Sequence, residues 1–156
     1  MHWSQAALKV ARVRKFRLAA MRAHRADCDA GQVRVRCLLV DDNSAFIETA
    51  RPALAREGVT VAGIASSTAE ALRQVRELRP DVVLVDIVLG DENGFDLARH
   101  LAGSGSGDGM AIIMISTGAE ADYADLIAES PAAGFLPKAE LSAAGILRIL
   151  GQGQGD

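Results

Sequence analysis

Residues 82–97 read VVLVDIVLGDENGFDL, and the fold turns on how this stretch is read. From Val82 to Val88 every residue but Asp86 is apolar, with none of the polar alternation of a half-exposed strand, as expected of a strand covered on both faces. Gly90, Asp91 and Asn93 interrupt the run, and Phe95–Leu101 resumes with helical spacing. Strand, turn and helix in that order form one half of a βαβ unit. An Asp near the strand end lies where an open parallel sheet presents its binding crevice.

Working outward, the same alternation repeats. Short runs rich in Val, Ile and Leu occur at Cys37–Val40, Val59–Ala65, Ala111–Ile115 and Gly134–Leu136. Helical patterns occupy Ala45–Arg56, Thr68–Arg79, Ala119–Ser130 and Leu141–Leu150. Ser67 and Glu70 form a capping-box pattern at the start of the second helix, and Pro80 stops it. Five parallel strands in a doubly wound α/β sheet, with helices on both faces, follow from this order. The Gly103–Gly109 segment (GSGSGDG) follows a helix and lacks the Lys-Ser/Thr ending of a phosphate-binding loop, so it reads as a flexible connection.

The chain has 156 residues, 49% hydrophobic, 24% charged and 4% aromatic, which suits one aliphatic-cored domain and excludes disordered and collagen-like classes. No apolar run reaches the length of a membrane span, and no uninterrupted apolar segment of a secretory signal opens the chain, so a cytoplasmic location is expected. Cys28 and Cys37 have no partners at metal-ligand spacing and read as ordinary thiols. The net charge of −3 conceals an asymmetry: residues 1–36 carry nine Lys and Arg against two Asp, a net +7, leaving −10 on the rest. Three parts are therefore expected: a basic N-terminal extension over 1–34, helical or disordered; a domain over 35–150; and a flexible tail over 151–156. Nucleic acid is expected as a partner only weakly, through the basic arm.

Polar residues gather where the apolar runs end. Asp41 and Asp42 follow the first run, Asp86 lies near the end of the third, Ser116 and Thr117 follow the fourth, and Lys138 follows the fifth. Clustered carboxylates repel one another unless a cation sits among them, and an all-oxygen donor set with few protein ligands suits Mg²⁺. A carboxylate beside such an ion can attack a phosphoryl group while an ammonium and a hydroxyl neutralise its oxygens. Asp86, on the central run, is the candidate nucleophile.

These residues resemble the receiver domain of bacterial two-component response regulators, across about residues 35–150. The resemblance is carried by LLVDDN (Leu38–Asn43), the segment around Asp86, IIMIST (Ile112–Thr117) and GFLPK (Gly134–Lys138). Ser116 and Lys138 lie 30 and 52 residues after Asp86, matching the family's spacing. The resemblance implies a flavodoxin or CheY-like sheet of order 2-1-3-4-5. It further implies Asp86 as phosphoacceptor, with Mg²⁺ held directly by Asp42, Asp86 and the main-chain carbonyl of Val88 and by Asp41 mainly through a metal-bound water. Ser116 and Lys138 would bind the phosphoryl oxygens, and Phe135 would be the aromatic switch residue. The implied partners are a histidine kinase or phosphotransfer protein and a downstream protein target met through the fourth helix, fifth strand and fifth helix; a homodimer is left open. With six residues after the fifth helix, the chain resembles a stand-alone receiver or one cut from a longer protein, a regulatory switch rather than an enzyme with its own substrate.

Four departures from the family pattern carry expectations of their own. Leu89-Gly90 in place of a Pro predicts a more pliable loop after Asp86. Thr117, larger than the usual Ala or Gly, would modulate access of the phosphodonor. Ala139 stands where a Pro commonly follows the lysine, so no cis bond is assumed there. Gly145 weakens the last helix. Two other readings compete. A phosphohydrolase would want a second acid two residues after Asp86, where Val88 stands; a phosphorylation-independent receiver would act only as a protein-binding module.

Overall fold

The computed structural model describes residues 35–103 and 109–152; the basic extension, Cys28, most of the glycine-rich connection and the last four residues lie outside them. The elements are β1 (Val35–Val40), α1 (Ser44–Arg56), β2 (Val59–Ala65), α2 (Thr68–Leu78), β3 (Val82–Asp86), β4 (Val88–Leu89), β5 (Glu92–Asn93), α3 (Gly94–Gly103), β6 (Ala111–Ser116), α4 (Ala124–Glu129), β7 (Gly134–Pro137) and α5 (Ala143–Gln152). Single 3₁₀ turns cover Glu120–Tyr123 and Lys138–Glu140.

Five strands pair in parallel in the order β2-β1-β3-β6-β7. Once the two-residue strands β4 and β5 are set aside, this is the predicted 2-1-3-4-5 order. Successive strand residues point to opposite faces, and both faces are apolar. Cys37, Leu39, Leu84, Ile113 and Ile115 pack with Ala50 and Leu54 of α1 and with Ile146 and Ile149 of α5. Leu38, Val40, Val83, Val85 and Met114 pack with Ala71 and Val75 of α2 and with Phe95, Leu97 and Leu101 of α3. Burial on both sides explains why these strands read as continuous apolar runs. Among the described residues no helix is long and apolar enough to cross a membrane.

Local chemistry sets the helix ends. Asn43 caps α1 by accepting the Phe46 N–H (3.2 Å), and Ser67 Oγ caps α2 by accepting that of Glu70 (3.2 Å). The return half of the predicted capping box lands one residue early: Glu70 Oε1 takes the N–H and hydroxyl of Ser66 (2.8 and 2.7 Å). Arg79 ends α2 in the left-handed region (φ 48°) before Pro80. Arg36, which the charge count assigns to the basic arm, belongs structurally to the domain: its guanidinium donates to Leu78 O and Arg79 O, and its N–H to Asp81 Oδ2.

Three expectations need correction. The third strand ends at Asp86 rather than Val88, because Val88–Leu89 leave the sheet to pair antiparallel with Glu92–Asn93. In that hairpin Gly90 supplies the positive φ (60°) of a two-residue turn, and Leu89 is buried. The single helix expected over Ala119–Ser130 is a 3₁₀ turn followed by the six-residue α4. Ala119 offers no side-chain cap, and only Tyr123 and Ile127 of this segment reach the core. α5 begins at Ala143 and runs two residues past its expected end at Leu150.

Candidate functional site

Parallel strands deliver their carboxyl ends to one edge of the sheet, so Asp41 after β1, Asp86 at the end of β3, Ser116 at the end of β6 and Lys138 after β7 share that edge. Ligand oxygens of Asp41, Asp42 and Asp86 all lie within 4.8 Å of one another. Asp41 is fully buried and Asp86 nearly so, whereas Asp42 is exposed.

Lys138 binds the two buried carboxylates together. Its Nζ lies 2.6 Å from Asp41 Oδ2 and 3.0 Å from Asp86 Oδ2. Both contacts pair the ammonium with a buried carboxylate oxygen, and the Asp86 contact is a hydrogen bond of ordinary length. The other oxygens are held by the backbone: Asp41 Oδ1 accepts the Asn43 N–H (2.9 Å) and Asp86 Oδ1 the Val88 N–H (3.1 Å). Burial raises the Asp86 pKa, and the Asp41 charge adds to the rise against the opposing hydrogen bonds from Lys138 and Val88. Burial opposes the Lys138 ammonium, but its pairing with Asp41 and Asp86 outweighs burial and raises its pKa overall.

Three carboxylates served by one ammonium form an oxygen-rich, under-compensated set that fits a hard divalent cation such as Mg²⁺. Val88 exposes its side chain (59%) and meets Asp86 through its backbone N–H. Ser116 is buried, and its Oγ accepts the Gly118 N–H (3.0 Å), a bond within its own loop. Thr117 is exposed beside it. Phe135 is buried, its ring 6.3 Å from that of Tyr123.

Sequence reasoning missed four residues here. Phe46 places its ring under Lys138, with Nζ 4.6 Å from the centroid, a cation–π contact between positions 92 residues apart that no local signal announces. Tyr123 covers Gly118, where an added Cβ would lie 3.1 Å from the phenol ring. Gly94 packs so closely on Asp86 that an added Cβ would stand 2.1 Å from the Asp86 carbonyl oxygen; its place after Asn93 was a readable turn signal, but not the reason for it. Glu92 accepts the Thr68 N–H at 2.8 Å, tying the hairpin to α2.

Comparison with known proteins agrees with this geometry. The chain is 39% identical over 95 residues to the DNA-binding response regulator MtrA of Mycolicibacterium paratuberculosis, an alignment covering 61% of this chain and 40% of that protein. It is 34% identical over 91 residues to a protein-glutamate methylesterase/protein-glutamine glutaminase of Myxococcus xanthus, covering 58% of this chain and 26% of that one. It thus spans well under half the length of these relatives. Among solved structures, a LuxR-family two-component response regulator from Aurantimonas superposes with a TM-score of 0.66 at 29% identity, over 76% of this chain and 86% of that one. Residues 37–149 match the family model described as the response regulator receiver domain, and the chain belongs to that family.

Proposed function

We propose that this receiver is a cytoplasmic, phosphorylation-dependent switch in which Asp86 accepts a phosphoryl group from a histidine kinase, a phosphotransfer protein or a small acyl phosphate. The observation that carries this reading is Lys138 Nζ set between Asp41 and Asp86 at an edge where three carboxylates meet. Asp41, Asp42, Asp86 and the Val88 carbonyl would hold Mg²⁺, which when bound supplies charge neutralisation for the incoming phosphoryl oxygens. An Asp86 carboxylate oxygen forms the new bond to phosphorus as the donor's P–N or P–O bond breaks, its electron pair leaving with the donor. Lys138 gives up part of its pairing with Asp86 to meet one phosphoryl oxygen. Ser116 donates its hydroxyl hydrogen, which the bond accepted from the Gly118 N–H leaves available, to another, and its movement toward the phosphoryl group draws the 117–123 loop with it. Phe135 and Tyr123 follow through packing, while Thr117 at the rim governs how the donor approaches. The output is a changed surface for a downstream protein.

The test is intact-mass measurement after incubation with Mg²⁺ and acetyl phosphate, alongside Asp86→Ala. A phosphate-sized gain, absent in the variant and on chelation of Mg²⁺, is expected. No gain from acetyl phosphate or from a panel of histidine kinases, with no Mg²⁺ binding by titration, would replace this reading with a phosphorylation-independent binding module.

A further inference from the structure

The hairpin that follows Asp86 is fastened at two places. At its root, Val88 donates its N–H to Asp86 Oδ1 (3.1 Å) and Gly94 donates to Ile87 O (2.8 Å), so the ribbon leaves on the Asp86 carboxylate and returns to the carbonyl of the next residue. At its far strand, Glu92 Oε1 accepts the N–H of Thr68 (2.8 Å), 24 residues earlier in the chain. Thr68 is the first residue of α2, and its N–H is one that a helix cannot pair internally. Ser67 Oγ serves Glu70 instead, so the carboxylate from the hairpin fills a vacancy in the cap at the positive end of the helix dipole. α2 is itself held to the sheet by the buried Ala71 and Val75.

Between these fastenings the ribbon has little else. Its paired residues are Val88 and Leu89 with Asn93 and Glu92, and of these only Leu89 is buried. Its turn closes over the site, since a Cβ at Gly90 would lie 3.4 Å from Asp42 Oδ2. We propose that Glu92 is a positioning residue for the Asp86 site: its bond to Thr68 braces the hairpin against α2 and so holds the Val88 peptide on Asp86. The brace works in both directions, and a change in the Val88–Asp86 contact reaches the first turn of α2. This inference rests on the reading of Asp86 as phosphoacceptor for its functional meaning, but the brace is measured separately from it.

The experiment is residue-resolved amide hydrogen exchange on the full chain without Mg²⁺ or phosphodonor, comparing wild type, Glu92→Ala and Glu92→Gln. In Glu92→Ala, exchange at Thr68 and at Val88 is expected to rise about tenfold, with Ile113 in the central sheet unchanged. Glu92→Gln, whose amide oxygen can accept the same N–H, is expected to restore protection at both positions. Mg²⁺ affinity should weaken about threefold in Glu92→Ala and recover in Glu92→Gln. Loss of protection at Thr68 with none at Val88 would overturn the proposal, leaving Glu92 as a helix cap. Faster exchange at Ile113 as well would overturn it in favour of a general structural role. Failure of the wild type to take up phosphate under the mass assay would count against the phosphoacceptor reading and not against the brace.

Discussion

A methyl group added at Gly94 would have nowhere to go. In Gly94→Ala the new Cβ would lie 2.1 Å from the Asp86 carbonyl oxygen, 2.9 Å from its carbon and 3.0 Å from Ile87 Cα. All three are backbone atoms, so no rotamer change relieves the clash. Ordinary contact requires the two segments to part by about 1 Å, which stretches the 2.8 Å bond from Gly94 N–H to Ile87 O past its useful range. Overpacking costs about 1–3 kcal/mol and the lost bond about 1 kcal/mol, so a loss of about 2–4 kcal/mol is expected, a fall of roughly 10 °C or more in Tm. The shift also moves Asp86, so Mg²⁺ affinity should fall with stability. Gly103→Ala is the internal control: it ends the same helix, and an added Cβ meets nothing within 4 Å. That variant should be neutral or gain up to about 1 kcal/mol. Urea denaturation in EDTA reads both. A Gly94→Ala protein within about 0.5 kcal/mol of wild type would refute the close approach argued here.

Ser67→Ala should lose about 1 kcal/mol in urea denaturation, because the Glu70 N–H loses its acceptor; an unchanged midpoint would mean the cap adds nothing. Burial, with the Asp81 charge second, pushes the Cys37 thiol up to about 12. Peptide mapping after iodoacetamide at pH 8 should therefore find Cys37 unmodified in the native protein and fully modified in urea; native labelling at the rate of a free thiol would contradict its burial. Lys138→Met should destabilise the metal-free protein by about 3 kcal/mol at pH 8 by leaving the buried carboxylates unpaired. Because pairing raises the folded-state pKa of Lys138, its stabilisation is complete below the ordinary value of 10.5 and is lost as pH rises through the raised one. The gap between wild type and Lys138→Met should accordingly close above pH 10.5, and a gap that stays constant to pH 11.5 would show that the ammonium is not its source.

The sheet was legible because its inner strands are buried on both faces and its edge strands β2 and β7 remain mostly apolar, so the apolar runs mark the strands with little ambiguity. The gathering of Asp41, Asp42, Asp86 and Lys138 was legible for a related reason: parallel strands send their ends to one edge, and position in sequence becomes position in space. What escaped notice lies off that lattice. Two-residue strands have no period to detect, so the Val88–Asn93 hairpin could be read only as a loop, and nothing local announced the bond from Thr68 to Glu92 or the close approach of Gly94 to Asp86. Phe46 beneath Lys138 is a contact between α1 and the end of β7, and nothing within either segment encodes it. The division of the fourth helix followed from sparse anchoring and an absent cap, both of which depend on packing.

That sparse anchoring sets an energy scale. α1, α2 and α3 each bury at least two side chains, whereas neither the 3₁₀ turn Glu120–Tyr123 nor α4 buries any; Tyr123 and Ile127 are only partly covered. Uncovering those two half-covered side chains would cost about 2–3 kcal/mol of apolar burial, before the segment's hydrogen bonds are counted. Its first tether to the sheet edge is the Ser116 hydroxyl, which receives the Gly118 N–H. A ligand that claimed that hydroxyl would pull on this segment without uncovering the five-stranded core. The molecule thus keeps a lightly buried segment next to its most densely charged site.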